Sequence, residues 1–179
     1  MATILPFGGI TPKIDPSAFI AHDATIIGDV EIGPEASIWY GCVVRGDVNA
    51  IRIGARTNIQ DGTVIHVASH RPGQTGLATL IGDEVTVGHM ALLHACTVED
   101  ASFVGMKACA LDGSKIETGG MLAAGALLTP GKILPSQELW AGSPAKLLRK
   151  LDNQGDKSYK ESANFYVQLA QDHKLLNAK

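Results

Sequence analysis

The amino-acid sequence predicts an all-β solenoid in which short parallel strands stack in triangular coils. Two observations predict it: aliphatic residues recur every six positions over most of the chain, and aromatic residues are scarce. A period of six is a multiple of two, the side-chain repeat of a strand, and does not fit the 3.6-residue repeat of a helix. Three six-residue units would form one coil, and successive coils would stack about 4.8 Å apart as parallel strands.

The six-residue repeat begins near Ile14 and continues to about Leu134. It is interrupted by a half-period shift near Asn49, a polar insertion over roughly Val67 to Thr79 and the loss of one residue before Val98. Gly, Asp, Asn and Pro fill many of the intervening positions, as is typical of corners. The repeated positions are Ile14, Ile20, Ile26, Ile32, Ile38, Val44, Ile53, Ile59, Ile65, Ile81, Val87, Leu93, Val98, Val104, Ala110, Ile116, Leu122 and Leu128.

The composition agrees with a narrow aliphatic core, since four Phe, three Tyr and two Trp stand against 20 Gly and 8 Pro. A β-sandwich with regular turns is the alternative, but a sandwich gives no reason for a strict count of six. The 179 residues fit one domain with a small appendage. We expect a β-helix domain over residues 1–135 and a helical extension over residues 136–179 that packs on it.

Two helices are predicted in this extension. Ser143-Pro144 is typical of an N-cap followed by Pro at the first helical position, which predicts a short basic helix through Leu151. Apolar residues spaced by three and four predict a second, amphipathic helix lying along one face of the β-helix. Its apolar stripe contains Tyr159, Ala163, Tyr166, Leu169 or Ala170, His173 and Leu176.

Charge and hydropathy exclude several classes of protein. A net charge of −3 and a pI near 6.0 give no basic surface for nucleic acid or an anionic membrane. No apolar run approaches the roughly 18 to 20 residues of a membrane span, and the first residues do not resemble a secretion signal. The three cysteines are too few and too widely spaced for a disulfide framework. These observations predict a cytoplasmic protein without a nucleic-acid or membrane partner.

Three of the six histidines have a geometric relation. His66 and His94 each follow an inward aliphatic residue, and they fall on the same face of adjacent coils if the insertion is a corner loop. Their imidazoles then point outward about 4.8 Å apart and can share one tetrahedral ion. His89 precedes a corner and faces another direction, so a three-histidine site requires His89 from a neighbouring subunit. Rotation about a threefold axis would give a homotrimer with three such sites.

The alternative interpretation is three unrelated surface histidines. Among the other candidate residues, His22 in a corner and His173 on the C-terminal helix are expected to be surface or packing residues. Cys96 follows His94 by two positions, but we expect it to pack, since a catalytic ion needs an open coordination position.

The chain carries the motifs Val44-Arg45-Gly46-Asp47, Asn58-Ile59-Gln60-Asp61-Gly62-Thr63, Ile65-His66-Val67, Val87-Gly88-His89 and Leu93-His94-Ala95-Cys96. In these motifs and their order it resembles the gamma-class carbonic anhydrases, a family of hexapeptide-repeat proteins. The resemblance implies a left-handed β-helix and the reversible hydration of CO₂ to bicarbonate by a metal-bound hydroxide between subunits. It implies Zn²⁺ as cofactor, with Fe²⁺ and Co²⁺ as alternatives because imidazole suits all three.

The resemblance also implies a role for each matched residue. His66, His89 and His94 correspond to the metal ligands, Gln60 to the residue that orients the bound water, and Asn58 to its neighbour. Arg45 and Asp61 correspond to a salt bridge between subunits, with Asp47 in the same network, although charges at such a boundary also serve assembly alone. Asn164 and Tyr166 correspond to residues of the C-terminal helix near the cleft.

The chain departs from the family prototype in its proton-transfer residues. Val48 stands where the prototype carries a proton-shuttling glutamate, and the segment from His66 to Gly76 contains no acid. His70 in this segment is a candidate proton shuttle, because an exposed imidazole titrates near pH 6.5, or an ordinary loop residue.

Acyl transfer is the rival function. Many hexapeptide-repeat proteins bind acyl-CoA between subunits and use a loop histidine as general base, and Gly142-Ser143-Pro144-Ala145-Lys146 is a segment that such transferases also carry. Thioester hydrolysis at the same metal site and a non-catalytic scaffold are further alternatives.

Overall fold

The computed structural model describes residues 1–152 and 155–177 and has the predicted architecture, a parallel β-solenoid with one C-terminal helix. In chain order the elements are β1 (Thr3–Leu5), β2 (Lys13–Ile14), β3 (Phe19–Ile20), β4 (Thr25–Ile32), β5 (Ser37–Ile38), β6 (Val43–Ile53), β7 (Asn58–Ile59), β8 (Val64–His66), β9 (Thr79–Ile81), β10 (Thr86–Val87), β11 (Leu92–His94), β12 (Thr97–Val98), β13 (Phe103–Val104), β14 (Cys109–Ala110), β15 (Lys115–Ile116), β16 (Met121–Leu122), β17 (Leu127–Leu128), β18 (Ile133–Leu134), β19 (Glu138–Ala141), β20 (Lys146–Lys150) and α1 (Gly155–Asn177).

The strands form the three faces of a prism, and the chain visits the faces in rotation. Face 1 contains β1, β8, β11, β14 and β17 with the first halves of β4 and β6. Face 2 contains β2, β9, β12, β15 and β18 with the second halves of β4 and β6. Face 3 contains β3, β5, β7, β10, β13, β16 and β19. Neighbouring strands within each face are parallel, apart from the pair formed by β19 and β20.

The repeated aliphatic residues point into the prism and stack in register from coil to coil. Leu93 lies between Ile65 of the coil before and Ala110 of the coil after, and all three side chains are fully buried. Ile14 and Ile20, near the N-terminal end of the stack, are partly buried against the same core. The predicted aliphatic core is therefore confirmed.

The predicted short helix over residues 144–151 is wrong. The chain instead forms β20, which pairs antiparallel with β19. The peptide groups nearby bond to the last coil, since Leu127 N–H donates to the Gly142 carbonyl and Ala145 N–H donates to the Leu127 carbonyl. The physical reason is non-local. Strand β19 is the last strand of face 3, so its outer edge presents backbone N–H and C=O groups, and pairing with β20 provides their hydrogen-bond partners. This outweighs the local helix-start signal of Ser143-Pro144.

The predicted amphipathic helix is present as α1 and packs against β3, β5, β7 and β10 of face 3. Ala163 and Ala170 of the helix are buried against this face. The hydroxyl of Tyr40 lies 2.8 Å from Nδ1 of His173. His173 is thus a packing residue, as expected. The side chains of Tyr159 and Leu176, also predicted in the apolar stripe, lie outside the described residues. In the described part of the chain, no helix is long and apolar enough to span a bilayer.

The buried thiols of Cys42 and Cys96 predict a loss of stability at alkaline pH. Burial raises the pKa of both thiols from 9.0 to about 12. Above pH 9.0 the unfolded chain therefore releases protons that the folded chain keeps, so the free energy of unfolding falls as pH rises towards 12. Each thiol contributes up to about 1.4 kcal/mol per pH unit. Urea denaturation at several pH values within this range measures the slope, and a Cys42→Ala, Cys96→Ala variant with the wild-type slope would contradict the prediction.

Candidate metal centre

Two histidines lie side by side on face 1, at the edge where the chain turns towards face 2. His66 ends β8 and His94 ends β11, and the strands pair so that the two residues are directly opposite each other. Their ring centroids are 5.2 Å apart. Both side chains point outward, because Ile65 and Leu93 before them point into the core. The register is the one that the repeat spacing predicts.

Asp47, in the coil before His66, links that histidine to Arg45. Its Oδ1 lies 3.0 Å from Nε2 of His66, and its Oδ2 accepts a hydrogen bond from Nη1 of Arg45 at 2.5 Å. Burial alone would raise the pKa of Asp47, but the hydrogen bonds from His66 and Arg45 hold it below its usual range. Within one chain, Arg45 thus pairs with Asp47.

Asp112, in the coil after His94, contacts the second histidine. Its Oδ1 lies 2.5 Å from Nδ1 of His94. Asp112 belongs to none of the sequence motifs that point to the site. The signal that could find it is its position one coil further along: Leu93 pairs with Ala110, so Asp112 lies one residue past the position that stacks on His94. We call Arg45, Asp47, His66, His94 and Asp112 the two-histidine half-site.

A cavity of about 330 Å³ opens beside the two-histidine half-site. The loop between β8 and β9 forms one wall of it, and Val48 contributes an apolar side chain from the coil before. The lining residues are Val48, His66, Val67, Ala68, Ser69, Arg71, Gln74, His94 and Asp112. His70 belongs to the same loop, but its Nδ1 accepts a hydrogen bond from the backbone N–H of Gly76 at 3.2 Å.

The third histidine lies on the opposite edge of face 1. His89 follows β10 in the corner between face 3 and face 1, and its Nδ1 lies 2.8 Å from Oδ2 of Asp61. Asp61 occupies the same corner one coil earlier, where its carbonyl accepts a hydrogen bond from the backbone N–H of Met90. Among residues 1–152 and 155–177 of one chain, no three potential ligand side chains come together.

A buried row of polar side chains leads to this corner. Gln60 Nε2 donates to Oδ1 of Asn58 at 3.0 Å, and Asn58 Nδ2 donates to Oγ1 of Thr86 at 2.9 Å. Gln60 and Asn58 are both buried. Since Gln60 is followed directly by Asp61, we call Asn58, Gln60, Asp61 and His89 the one-histidine half-site.

Tyr166 and Asn164, the two residues that the resemblance places on the C-terminal helix near the cleft, have different neighbours. Tyr166 packs edge-on against Trp39, with ring centroids 5.4 Å apart. Burial raises the pKa of Tyr166, and the negative charge of Asp61 adds to this. Asn164 instead accepts a hydrogen bond from Arg56, which follows β6 in the corner between face 2 and face 3. Cys96 is fully packed into the core cluster, as expected.

The residues present fit a divalent transition metal. Metal-binding histidines generally carry a carboxylate or carbonyl on their second ring nitrogen, and each of these three histidines has a carboxylate partner. Imidazole is a suitable donor for Zn²⁺, Fe²⁺ and Co²⁺. The stacked pair in one chain supplies two such donors, and His89 lies across face 1 from them.

The comparisons with known proteins agree with this architecture. A family model described as "Bacterial transferase hexapeptide (six repeats)" matches residues 11–46. A solved structure of a hexapeptide transferase family protein from Anaplasma phagocytophilum is 48% identical, with a TM-score of 0.88, and the match covers 94% of this chain and 96% of that one.

Two curated relatives carry a more specific name. Gamma carbonic anhydrase 2, mitochondrial, from Arabidopsis thaliana is 51% identical over 169 residues, which cover 94% of this chain and 61% of the plant protein. The chain therefore spans less than two thirds of that relative. A carbonic anhydrase from Geobacillus kaustophilus is 41% identical over 173 residues, which cover 97% of this chain and 92% of the relative. The chain thus belongs to the gamma-class carbonic anhydrase-like family of hexapeptide-repeat proteins.

Proposed function

We propose that the protein is a carbonic anhydrase-like lyase that hydrates CO₂ reversibly to bicarbonate at a metal site shared between subunits of a homotrimer. The observation that carries the proposal is the placement of the two half-sites on opposite edges of face 1. His66 and His94 form one half, and the partner subunit's His89 completes the site. The same contact, repeated about a threefold axis, produces three identical sites.

The outward side chains of the three faces, and what covers them, favour assembly through face 1. Helix α1 covers face 3. Face 2 carries charged residues that form ion pairs between coils, such as Lys13 with Glu31 at 3.0 Å. The outward column of face 1 is apolar and stacked in register, and it consists of Val43, Val64, Leu92, Cys109 and Leu127. An exposed apolar column of this kind is stabilised by burial against a second copy.

Three neutral imidazoles leave one tetrahedral position open. A metal ion held there would supply a hydroxide nucleophile at neutral pH, because it would lower the pKa of water to about 7. The amide of Gln60 is held by Asn58, so that its Oε1 stays available as an acceptor. We expect this oxygen to accept the remaining hydrogen of the nucleophile and to direct the lone pair at the carbon of CO₂.

Replacing Gln60 with alanine is expected to lower kcat for CO₂ hydration by about 10- to 100-fold. The metal content should be unchanged, because no metal ligand is removed. Stopped-flow assays with a pH indicator and elemental analysis measure the two quantities. Gln168→Ala, at an exposed glutamine of α1, is the matched control and should behave as wild type. An unaltered kcat in Gln60→Ala would exclude an orienting role for this amide.

The names of the relatives support two different reactions. The curated relatives are named carbonic anhydrases, whereas the Anaplasma phagocytophilum structure is described as a hexapeptide transferase family protein. Acyl transfer or thioester hydrolysis is therefore the second candidate function. The placement of His66, His94 and His89, each with a carboxylate partner, favours metal chemistry, because a loop histidine acting as base in acyl transfer needs no such set.

The test is to measure CO₂ hydration and the release of CoA from acetyl-CoA on the same preparation of metal-loaded protein. The proposal predicts hydration well above the uncatalysed rate, its loss on removal of the metal with a chelator, and no release of CoA. Release of CoA without CO₂ hydration would replace the proposal with thioester hydrolysis, in which water accepts the acyl group. Neither reaction in a trimer that binds no metal would indicate a scaffold protein.

A further inference from the structure

We infer that Asp112 is a positioning residue that fixes the tautomer of His94, so that the Nε2 lone pair is the one available to a metal ion. The inference rests on the proposed metal site for its functional meaning. The tautomer assignment, in which Asp112 holds hydrogen on Nδ1 of His94, depends only on contacts within one chain.

The backbone of Asp112 is fixed by the coils on both sides. Ala110 pairs in register with Leu93, and the N–H of Gly113 donates to the carbonyl of Ala95 at 2.8 Å. In the other direction, the N–H of Gly131 donates to the carbonyl of Asp112 at 2.9 Å. The corner that carries Asp112 is thereby tied to the corner that follows His94, and the distance between the two side chains is set by the stacking of coils.

The contact itself defines the tautomer. An ionised carboxylate only accepts hydrogen bonds, so the 2.5 Å approach of Asp112 Oδ1 to Nδ1 of His94 requires that nitrogen to carry hydrogen. A neutral imidazole then has its lone pair on Nε2. A carboxylate in this position also holds the ring orientation.

Asp112 differs from Asp47 in its other partners. Asp47 divides its two oxygens between His66 and Arg45. In the part of the chain that the structure describes, Asp112 forms an ion pair with His94 alone. Asp47 also contacts Nε2 of His66, whereas Asp112 contacts Nδ1 of His94. Of the two carboxylates in the two-histidine half-site, Asp112 is therefore the one whose partner nitrogen leaves Nε2 free.

The first experiment measures the dissociation constant for Co²⁺ by competition with a chromogenic chelator. Asp112→Ala is expected to weaken binding by about 10- to 100-fold. Asp112→Asn should recover part of this loss, because the amide oxygen still accepts the hydrogen on Nδ1 but lacks the charge. The control is Asp23→Ala, which removes the same charge from a corner where the carboxylate accepts the N–H of Gly41, and its affinity should equal that of wild type.

The second experiment uses the metal-free protein, so that its result does not depend on the proposed function. Long-range ¹H–¹⁵N NMR spectra of neutral His94 should show hydrogen on Nδ1 in wild type and in Asp112→Asn, and a shift towards hydrogen on Nε2 in Asp112→Ala. Hydrogen on Nε2 in wild type would overturn the inference, as would equal Co²⁺ affinity in wild type and Asp112→Ala. Hydrogen on Nδ1 in a wild-type protein that binds no Co²⁺ would instead overturn the proposed function and leave the tautomer assignment standing.

Discussion

Replacing His89 with alanine is expected to abolish binding of the proposed metal ion while leaving the fold and the proposed trimer intact. Wild type purified without chelators should contain about one ion per chain. The variant keeps two of the three proposed imidazole ligands. Loss of a residue that hydrogen-bonds to a ligand weakens metal binding by up to roughly 100-fold, and we expect loss of a ligand itself to weaken it more. His89 is half-buried in its corner, so in the metal-free protein its removal should change the free energy of unfolding by less than about 0.5 kcal/mol.

Elemental analysis measures the metal content of the His89→Ala variant, and light scattering coupled to gel filtration measures its mass. The trimer should persist, because the apolar column of face 1 and the Arg45 and Asp61 side chains are untouched. His22→Ala is the matched control, since His22 lies in an exposed corner and forms no ion pair with a described carboxylate. Wild-type metal content in His89→Ala would remove this residue from the ligand set.

Replacing Leu93 with alanine is expected to lower the free energy of unfolding by about 2–5 kcal/mol. Leu93 is fully buried and packs between Ile65 and Ala110 in the narrow core. The lost side chain leaves a cavity that the hydrogen-bonded coils cannot close, because the strands on either side are held at a fixed spacing.

Leu80→Ala is the matched control for Leu93→Ala. Leu80 has the same side chain but points outward on face 2, where it is 43% exposed, and it directly precedes the inward Ile81. Its loss should cost less than about 0.5 kcal/mol. Urea denaturation of both variants at one protein concentration measures the difference. Equal destabilisation by the two substitutions would contradict the inward and outward assignment of the repeat.

The parts of the fold that could be predicted from sequence are those set by local periodicity. The six-residue count fixes which side chains point inward, and that alone places His66 opposite His94 once the insertion is treated as a loop. The strand β20 could not be predicted in the same way. Its pairing with β19 depends on a strand edge that exists only after the stack has formed, whereas Ser143-Pro144 carries a local signal for a helix.

The same distinction between local periodicity and contacts made only in the fold applies to the candidate site. His66, His94 and His89 could be selected because their hexad positions determine their directions. Asp112 lies outside the motifs, and its contact with His94 depends on a register between corners of adjacent coils. The position of Asn164 next to Arg56 depends on how α1 is rotated on face 3, which its three- and four-residue spacing does not determine. Contacts between adjacent coils, and contacts between the helix and the coils, therefore could not be predicted from the sequence.

The most direct test of the shared site is complementation between two inactive variants. Chains carrying His89→Ala keep His66 and His94, and chains carrying His94→Ala keep His89. If the variants are unfolded, mixed in equal amounts and refolded together, about a quarter of the sites should combine an intact half from each chain. The account predicts recovery of about a quarter of the wild-type metal content and CO₂ hydration in the mixture, and none in either variant refolded alone. Mixed trimers, verified by mass spectrometry, that recover neither metal nor activity would contradict a site shared between subunits.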